Sequence, residues 1–189
     1  MTVRKLASIL RRCARDGTAD QRGSSVVEFA LLLPLMLTMY FGSIEVTDAI
    51  SADRQITLVA GTVADITAQY QSVTVNDVNN ILAAASAVLT PFSVANVQVT
   101  LSSVLIDANG NATVDWSASL HGTQRTGNVT NSIPTALRVA NTSVVWGEAT
   151  YAYKPVIGWV VTGTLNLSNQ IFMRPRLSSC VKYPGVGTC

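Results

Sequence analysis

The sequence is poor in charge, in aromatic side chains and in histidine. Charged residues make up 13% and aromatic residues 6% of the 189 residues, and His121 is the only histidine. So low a charge content is unusual for a cytoplasmic protein. A single histidine in a polar stretch gives no basis for a histidine-dependent catalytic triad or a zinc site.

The common signatures of catalysis and of nucleotide binding are also missing. The chain holds no Gly-x-Ser-x-Gly elbow, no phosphate-binding loop and no dinucleotide fingerprint. Basic residues after position 54 are scattered and form no stripe, which argues against nucleic-acid binding. We therefore expect neither an enzyme nor a nucleic-acid-binding protein, and we expect no cofactor and no metal.

One long apolar run stands out, from Val26 to Ile44. As a helix, nineteen residues reach about 28 Å, close to the ~30 Å hydrocarbon core of a bilayer. The residues before the run carry six basic side chains against two acidic ones, whereas acidic residues follow it. Because basic flanks stay in the cytoplasm, the run predicts a single transmembrane helix with the C-terminal bulk exported.

Glu28 is the one acidic residue inside this run. A carboxylate deep in a membrane segment costs about 2.5–3.5 kcal/mol, while each large apolar side chain returns about 0.3–0.6 kcal/mol, so insertion survives the charge. Two interpretations stay open on the residues alone. Glu28 lies among lipid headgroups, or it pairs with a cationic partner.

The segment around Glu28 resembles the processing site of type IV prepilins. It reads Gly23-Ser-Ser-Val-Val-Glu28-Phe29, directly after a basic stretch, and it continues as Ala-Leu-Leu-Leu-Pro34. This form, with the later Phe41-Gly-Ser-Ile-Glu45, is similar to the TadE/TadG-like pseudopilins of the tight-adherence (Flp) pilus system. The resemblance implies cleavage after Gly23, a new N-terminus at Ser24, and an assembly or registry role for Glu28 and Phe29.

The same resemblance implies an organisation and a function. Residues 1–23 would be a basic cytoplasmic leader removed on processing, 24–48 the transmembrane helix, and 49–189 a periplasmic pilin-like domain. The protein would be a minor pseudopilin of the bacterial inner membrane that helix bundling brings into pilus initiation, adhesion and biofilm formation. Its implied partners are the prepilin peptidase, other pilins or pseudopilins and the pilus assembly platform.

Hydrophobic periodicity predicts the rest of the fold. An apolar stripe at helical spacing continues the first helix (Ala49, Ala52, Ile56, Val59, Val63, Ile66, Tyr70). A second short helix is predicted after a cap at Asn76-Asp77 and before Pro91. Beyond position 97 the apolar period becomes two, and Asn109-Gly110 predicts a hairpin turn. The pattern predicts an α+β fold, with a long N-terminal transmembrane helix continuing into a domain whose small antiparallel sheet packs on the stripe.

The three cysteines divide between the two ends of the chain. Cys13 falls in the basic leader, whereas Cys180 and Cys189 lie near the end. Export would carry this second pair into a compartment where disulfides persist, which favours a bridge between them. Two free thiols or half of a metal site are the alternatives, although no nearby histidine or Cys-x-x-Cys motif supports a metal.

Two other classes of protein fit the same apolar run. The chain could be an uncleaved single-span protein whose exported domain binds a ligand or a cell-wall component. Alternatively, the run could be a secretory signal peptide cut near Ala49 or Ala52, although nineteen apolar residues are long for such a segment.

Overall fold

The computed structural model describes residues 22–155 and 163–189. Residues 1–21, which make up nearly all of the predicted leader and include Cys13, lie outside the described part. The chain divides into two compact units, one ending at Ile44 and the other comprising Glu45–Cys189. The described residues of the first unit are helical throughout.

The long helix α1 comprises Arg22–Ala68. From Ala52 onward it buries one face against the sheet of the second unit. Four residues of the predicted stripe are buried there (Ala52, Ile56, Val59 and Val63), Ala49 and Ile66 are partly buried, and Ala60, Ala64 and Ala68 are buried beside them. The prediction was wrong at Tyr70, which is 38% exposed and lies two residues beyond the end of the helix.

The second helix, α2, comprises Val75–Ala87 and begins with a capping box. The Thr74 hydroxyl accepts from the Asp77 backbone N–H at 3.2 Å, and the Asp77 carboxylate accepts from the Thr74 backbone N–H at 2.8 Å. These reciprocal bonds satisfy two amide groups at the helix start. The N-cap is therefore Thr74, two residues before the predicted position.

Four antiparallel strands form one sheet: β1 (Val97–Ile106), β2 (Ala112–Leu120), β3 (Thr142–Tyr153) and β4 (Leu165–Met173). Their order across the sheet is β2-β1-β3-β4. A long apolar helix followed by a small antiparallel sheet is the predicted α+β class, which the structure confirms.

The β1–β2 hairpin turns at the predicted Asn109-Gly110. The carboxylate of Asp107 accepts from the backbone N–H groups of Asn109 and Asn111, both at 2.8 Å, and Gly110 adopts φ +81°. An aspartate that bonds its own backbone in this way sets a turn without any ligand. The hydrogen bond from the Asn111 side chain, followed by these backbone hydrogen bonds, lowers the pKa of the Asp107 carboxyl.

A bulge in β2 divides the apolar residues of this strand between two clusters. Ser103 pairs with Trp116, but the next residue, Val104, pairs with Val114, so Asp115 is the extra residue. Trp116 joins the core under α1, whereas Val114 packs with the cluster on the other face. A strict period of two beyond position 97 would place Val114 and Trp116 on one face of the sheet, and that expectation is wrong at the bulge.

The second cluster lies on the sheet face opposite α1 and is closed by the connection between β2 and β3. Val129 and Ile133 of that connection are buried against Val104, Val144 and Trp146. Residues 121–142 are polar and rich in Gly, Thr and Asn, a composition that predicts a long loop or a broken excursion and does not reveal this packing. Their two apolar anchors are too widely spaced to produce a periodic signal.

Candidate functional site

The first part of α1 presents apolar side chains on every side. From Val26 to Ile44 all the large hydrophobic residues are exposed, with Leu31 at 74% and Val26 at 68% of their full surface. Large apolar side chains in contact with water mark a surface that another apolar phase or partner covers. By length and composition, α1 is the one helix within the described ranges that qualifies as a membrane span.

The predicted processing and registry residues all lie in the first two turns of this helix. Gly23 and Ser24 are within its first turn, and Glu28 follows one turn later. Phe29 retains 59% of its surface. Glu28 and Phe29, which are consecutive in the sequence, therefore lie near the start of the apolar surface of α1.

Comparison with known families bears on this segment. Residues 23–65 match the TadE-like protein family. The match covers less than a quarter of the 189 residues, begins at Gly23 and extends well into the buried part of α1. The predicted resemblance is confirmed over this TadE-like segment.

The match suggests a protein associated with the Tad pilus, since the TadE-like family is a family of pilus structural and assembly proteins. With its candidate span, the segment is consistent with a membrane-associated protein. Comparisons with curated proteins and with solved structures return no match. The family match therefore covers only part of α1, and no curated protein or solved structure matches the sheet.

The C-terminal tail is fastened to the domain. Cys180 and Cys189 are joined by a disulfide, with their Cα atoms 6.2 Å apart. Within the loop that they close, the Val181 carbonyl accepts from Trp116 Nε1 at 2.7 Å, and Tyr183 stacks on the Trp116 ring. The Thr188 backbone N–H donates to Asp115 Oδ1 at 2.6 Å.

The tail contacts are the part of this site that sequence reasoning missed. Asp115 contacts the tail because the bulge displaces it from regular strand pairing. Trp116 contacts the tail because its indole N–H donates to the carbonyl of Val181, 65 residues along the chain. In the sequence, the Asp115-Trp116 pair stands alone within a strand and does not indicate that the C-terminal tail contacts it.

Over residues 22–155 and 163–189, no group of three or more His, Cys, Asp or Glu side chains could hold a metal ion. His121 is within 3.3 Å of the Val97 carbonyl oxygen, which gives this side chain a structural contact at the end of β2.

Proposed function

We propose that this protein is a minor pseudopilin of a Tad (Flp) pilus that acts through its TadE-like helix. The observation that carries the proposal is the family match, which begins at Gly23. The exposed apolar surface of α1 supports it, because such a surface suits lipid before assembly and other helices after it. The protein would be held in the bacterial inner membrane with residues 49–189 in the periplasm.

In this proposal a prepilin peptidase cuts the chain after Gly23. Ser24 then carries a new α-amine, which has an ordinary pKa near 8 and is mostly protonated at neutral pH. Glu28, one turn along the helix, is placed to pair with that amine or with the amine of a neighbouring subunit. Such a pairing would fix the axial register between bundled helices, a use of buried charge known from other helical assemblies.

The partners of the helix would be other pilins or pseudopilins and the pilus assembly platform. The protein would help to start or cap the filament and thereby serve adhesion and biofilm formation. The exported sheet would present contacts to neighbouring subunits, whereas the apolar helix would supply the common attachment.

Mass spectrometry of the N-terminus tests the proposal most directly. Protein isolated from cells that carry the peptidase should begin at Ser24. A Gly23→Ile variant should retain its leader, because a bulky side chain occupies the cut position. Gly42→Ile is the matched control, since Gly42 lies in the same helix and has open space around it.

Two outcomes would contradict processing. Native material that begins at Met1 would leave an uncleaved, anchored domain as the better description. A chain that begins near Ala49 or Ala52 would indicate a secreted protein instead.

A further inference from the structure

A polar cleft lies on the sheet face turned away from α1. Its floor is formed by Gln98 and Thr100 of β1 and by Glu148 and Thr150 of β3, and residues 123–125 form one wall. The cleft has a volume of about 330 Å³. That volume is in the lower part of the range for small-molecule sites.

The wall of the cleft is held in place by the domain itself. Arg125 donates through Nε and Nη2 to the two carboxylate oxygens of Glu148, at 2.9 and 2.6 Å. Its guanidinium carbon lies 4.9 Å from the centre of the Trp146 ring. The Arg125 backbone N–H also donates to the Ser117 hydroxyl at 3.1 Å. A two-point ion pair on an aromatic ring is a rigid arrangement, so the cleft is formed before any ligand arrives.

The charges in the cleft cancel. Arg125 and Glu148 are the only charged residues that line it, and they bond each other. The hydrogen bonds to Glu148 are the main cause of a raised pKa for Arg125, so this cation persists at any ordinary pH. The lining therefore has no net charge, and a ligand meets hydroxyl and amide groups together with the remaining N–H groups of Arg125.

Two side-chain amides in the cleft are available to a ligand. Gln98 and Gln124 line it, both are exposed, and neither has a side-chain hydrogen bond to any described residue. Each amide offers two donor hydrogens and an acceptor oxygen. The hydroxyl oxygens of Thr100 and Thr150, which donate to the Thr123 carbonyl and the Ser168 hydroxyl, can accept from a ligand. Such a set matches a ligand that carries many hydroxyl groups and no charge.

The position of the cleft argues against a peptide. Peptides that add a strand do so at a sheet edge, where backbone groups are unpaired. This cleft lies over the central strands β1 and β3, whose neighbours occupy both sides. Its lining also lacks an apolar pocket for a peptide side chain. We propose that the cleft binds a neutral saccharide, a property that does not depend on cleavage after Gly23.

Binding can be tested on the full chain in lipid nanodiscs. Glycoside detergents must be avoided, because their head groups are themselves neutral sugars. The probes are neutral hexose and N-acetylhexosamine oligosaccharides on an array, with uronate and sialate oligosaccharides beside them. We expect retention of at least one neutral saccharide, followed by a saturable titration of that saccharide.

Variants then locate the binding. Gln98→Ala with Gln124→Ala should raise the dissociation constant about tenfold or more, because several hydrogen bonds are lost. Gln71→Ala is the matched control, an exposed glutamine outside the cleft, and should leave the constant unchanged. Near-ultraviolet circular dichroism verifies that all variants stay folded.

Three results would overturn the inference: no neutral saccharide binds, only acidic saccharides bind, or the double variant binds as tightly as the parent chain. None of these results affects the pilus proposal, which is decided by the N-terminal residue.

Discussion

At the scale of single residues, Gly147 decides how closely α1 approaches the sheet. A Cβ atom at this position of β3 would collide with the carbonyl oxygen of Ala60 and would lie 3.1 Å from the Ala64 side chain. Backbone cannot move aside as a flexible side chain can. The absence of a side chain at Gly147 therefore brings the two layers of the domain together.

Replacing Gly147 by Ala should destabilise the domain by about 1–3 kcal/mol, the range for overpacking a well-packed core. Chemical unfolding of the full chain, followed by tryptophan fluorescence, measures the change. Gly61→Ala is the matched control. Gly61 is inside α1 with open space around it, so alanine there should stabilise the helix by about 0.5–1 kcal/mol. Equal stability of the two variants would show that the layers are not in tight contact.

Asp77 makes the start of α2 sensitive to acid. Its hydrogen bonds with Thr74 lower the pKa of the carboxyl. A carboxyl with a lowered pKa contributes its stability above the ordinary aspartate value of about 4, and that contribution is lost as the pH falls through the lower folded value.

The melting temperature of an Asp77→Asn variant should therefore be lower than that of the parent chain at neutral pH, and the difference should shrink in acid. Thr74→Ala removes the hydroxyl that donates to the Asp77 carboxylate but keeps the backbone N–H donor, so it should weaken the acid dependence only in part. A constant difference between Asp77→Asn and the parent at every pH would show that the carboxylate does not act through its charge.

At the scale of elements, hydrophobic periodicity predicted the regular helices and strands but not the irregular features that interrupt or cover them. The stripe on α1, the strands and the two faces of β3 follow from regular spacing, and the structure confirms them. The bulge at Asp115 has no local signature, because an extra residue is fixed by pairing with another strand. The same limit applied to Val129 and Ile133, whose burial depends on a surface that folding creates.

The C-terminal disulfide should stabilise the domain as a whole because the tail that it closes contacts several elements. Cys180 and Cys189 are nine residues apart. In the chain-entropy account, a loop of this size contributes about 2–3 kcal/mol. Cys180→Ser with Cys189→Ser should lower the free energy of unfolding by this amount in urea titrations of the full chain.

Cys13→Ser is the control for the loss of a thiol without the loss of a bridge, and it should leave stability unchanged. If the double variant is as stable as the parent, the contacts of Trp116 and Asp115 are sufficient to hold the tail.

At the scale of the whole molecule, the exposed apolar surface and the packed core lie in different units. The apolar surface of α1 up to Ile44 is exposed within the chain, whereas Glu45–Cys189 has its own core. The family match spans parts of both units, since it extends from residue 23 to residue 65. In a pilus subunit, such a division would allow the helix to attach the subunit to the assembly while the exported domain binds different partners.

Glu28 provides the test of that division. Glu28→Ala should leave the protein in the membrane, because removing a carboxylate makes the span more apolar. Assembly should nevertheless fail, since the proposed partner of the Ser24 amine is gone. Membrane fractionation and counts of filaments in the same cells measure the two effects separately. Asp48→Ala, which removes an exposed acid after the apolar run, should affect neither. Normal piliation in Glu28→Ala cells would mean that apolar packing alone sets the register of the helices.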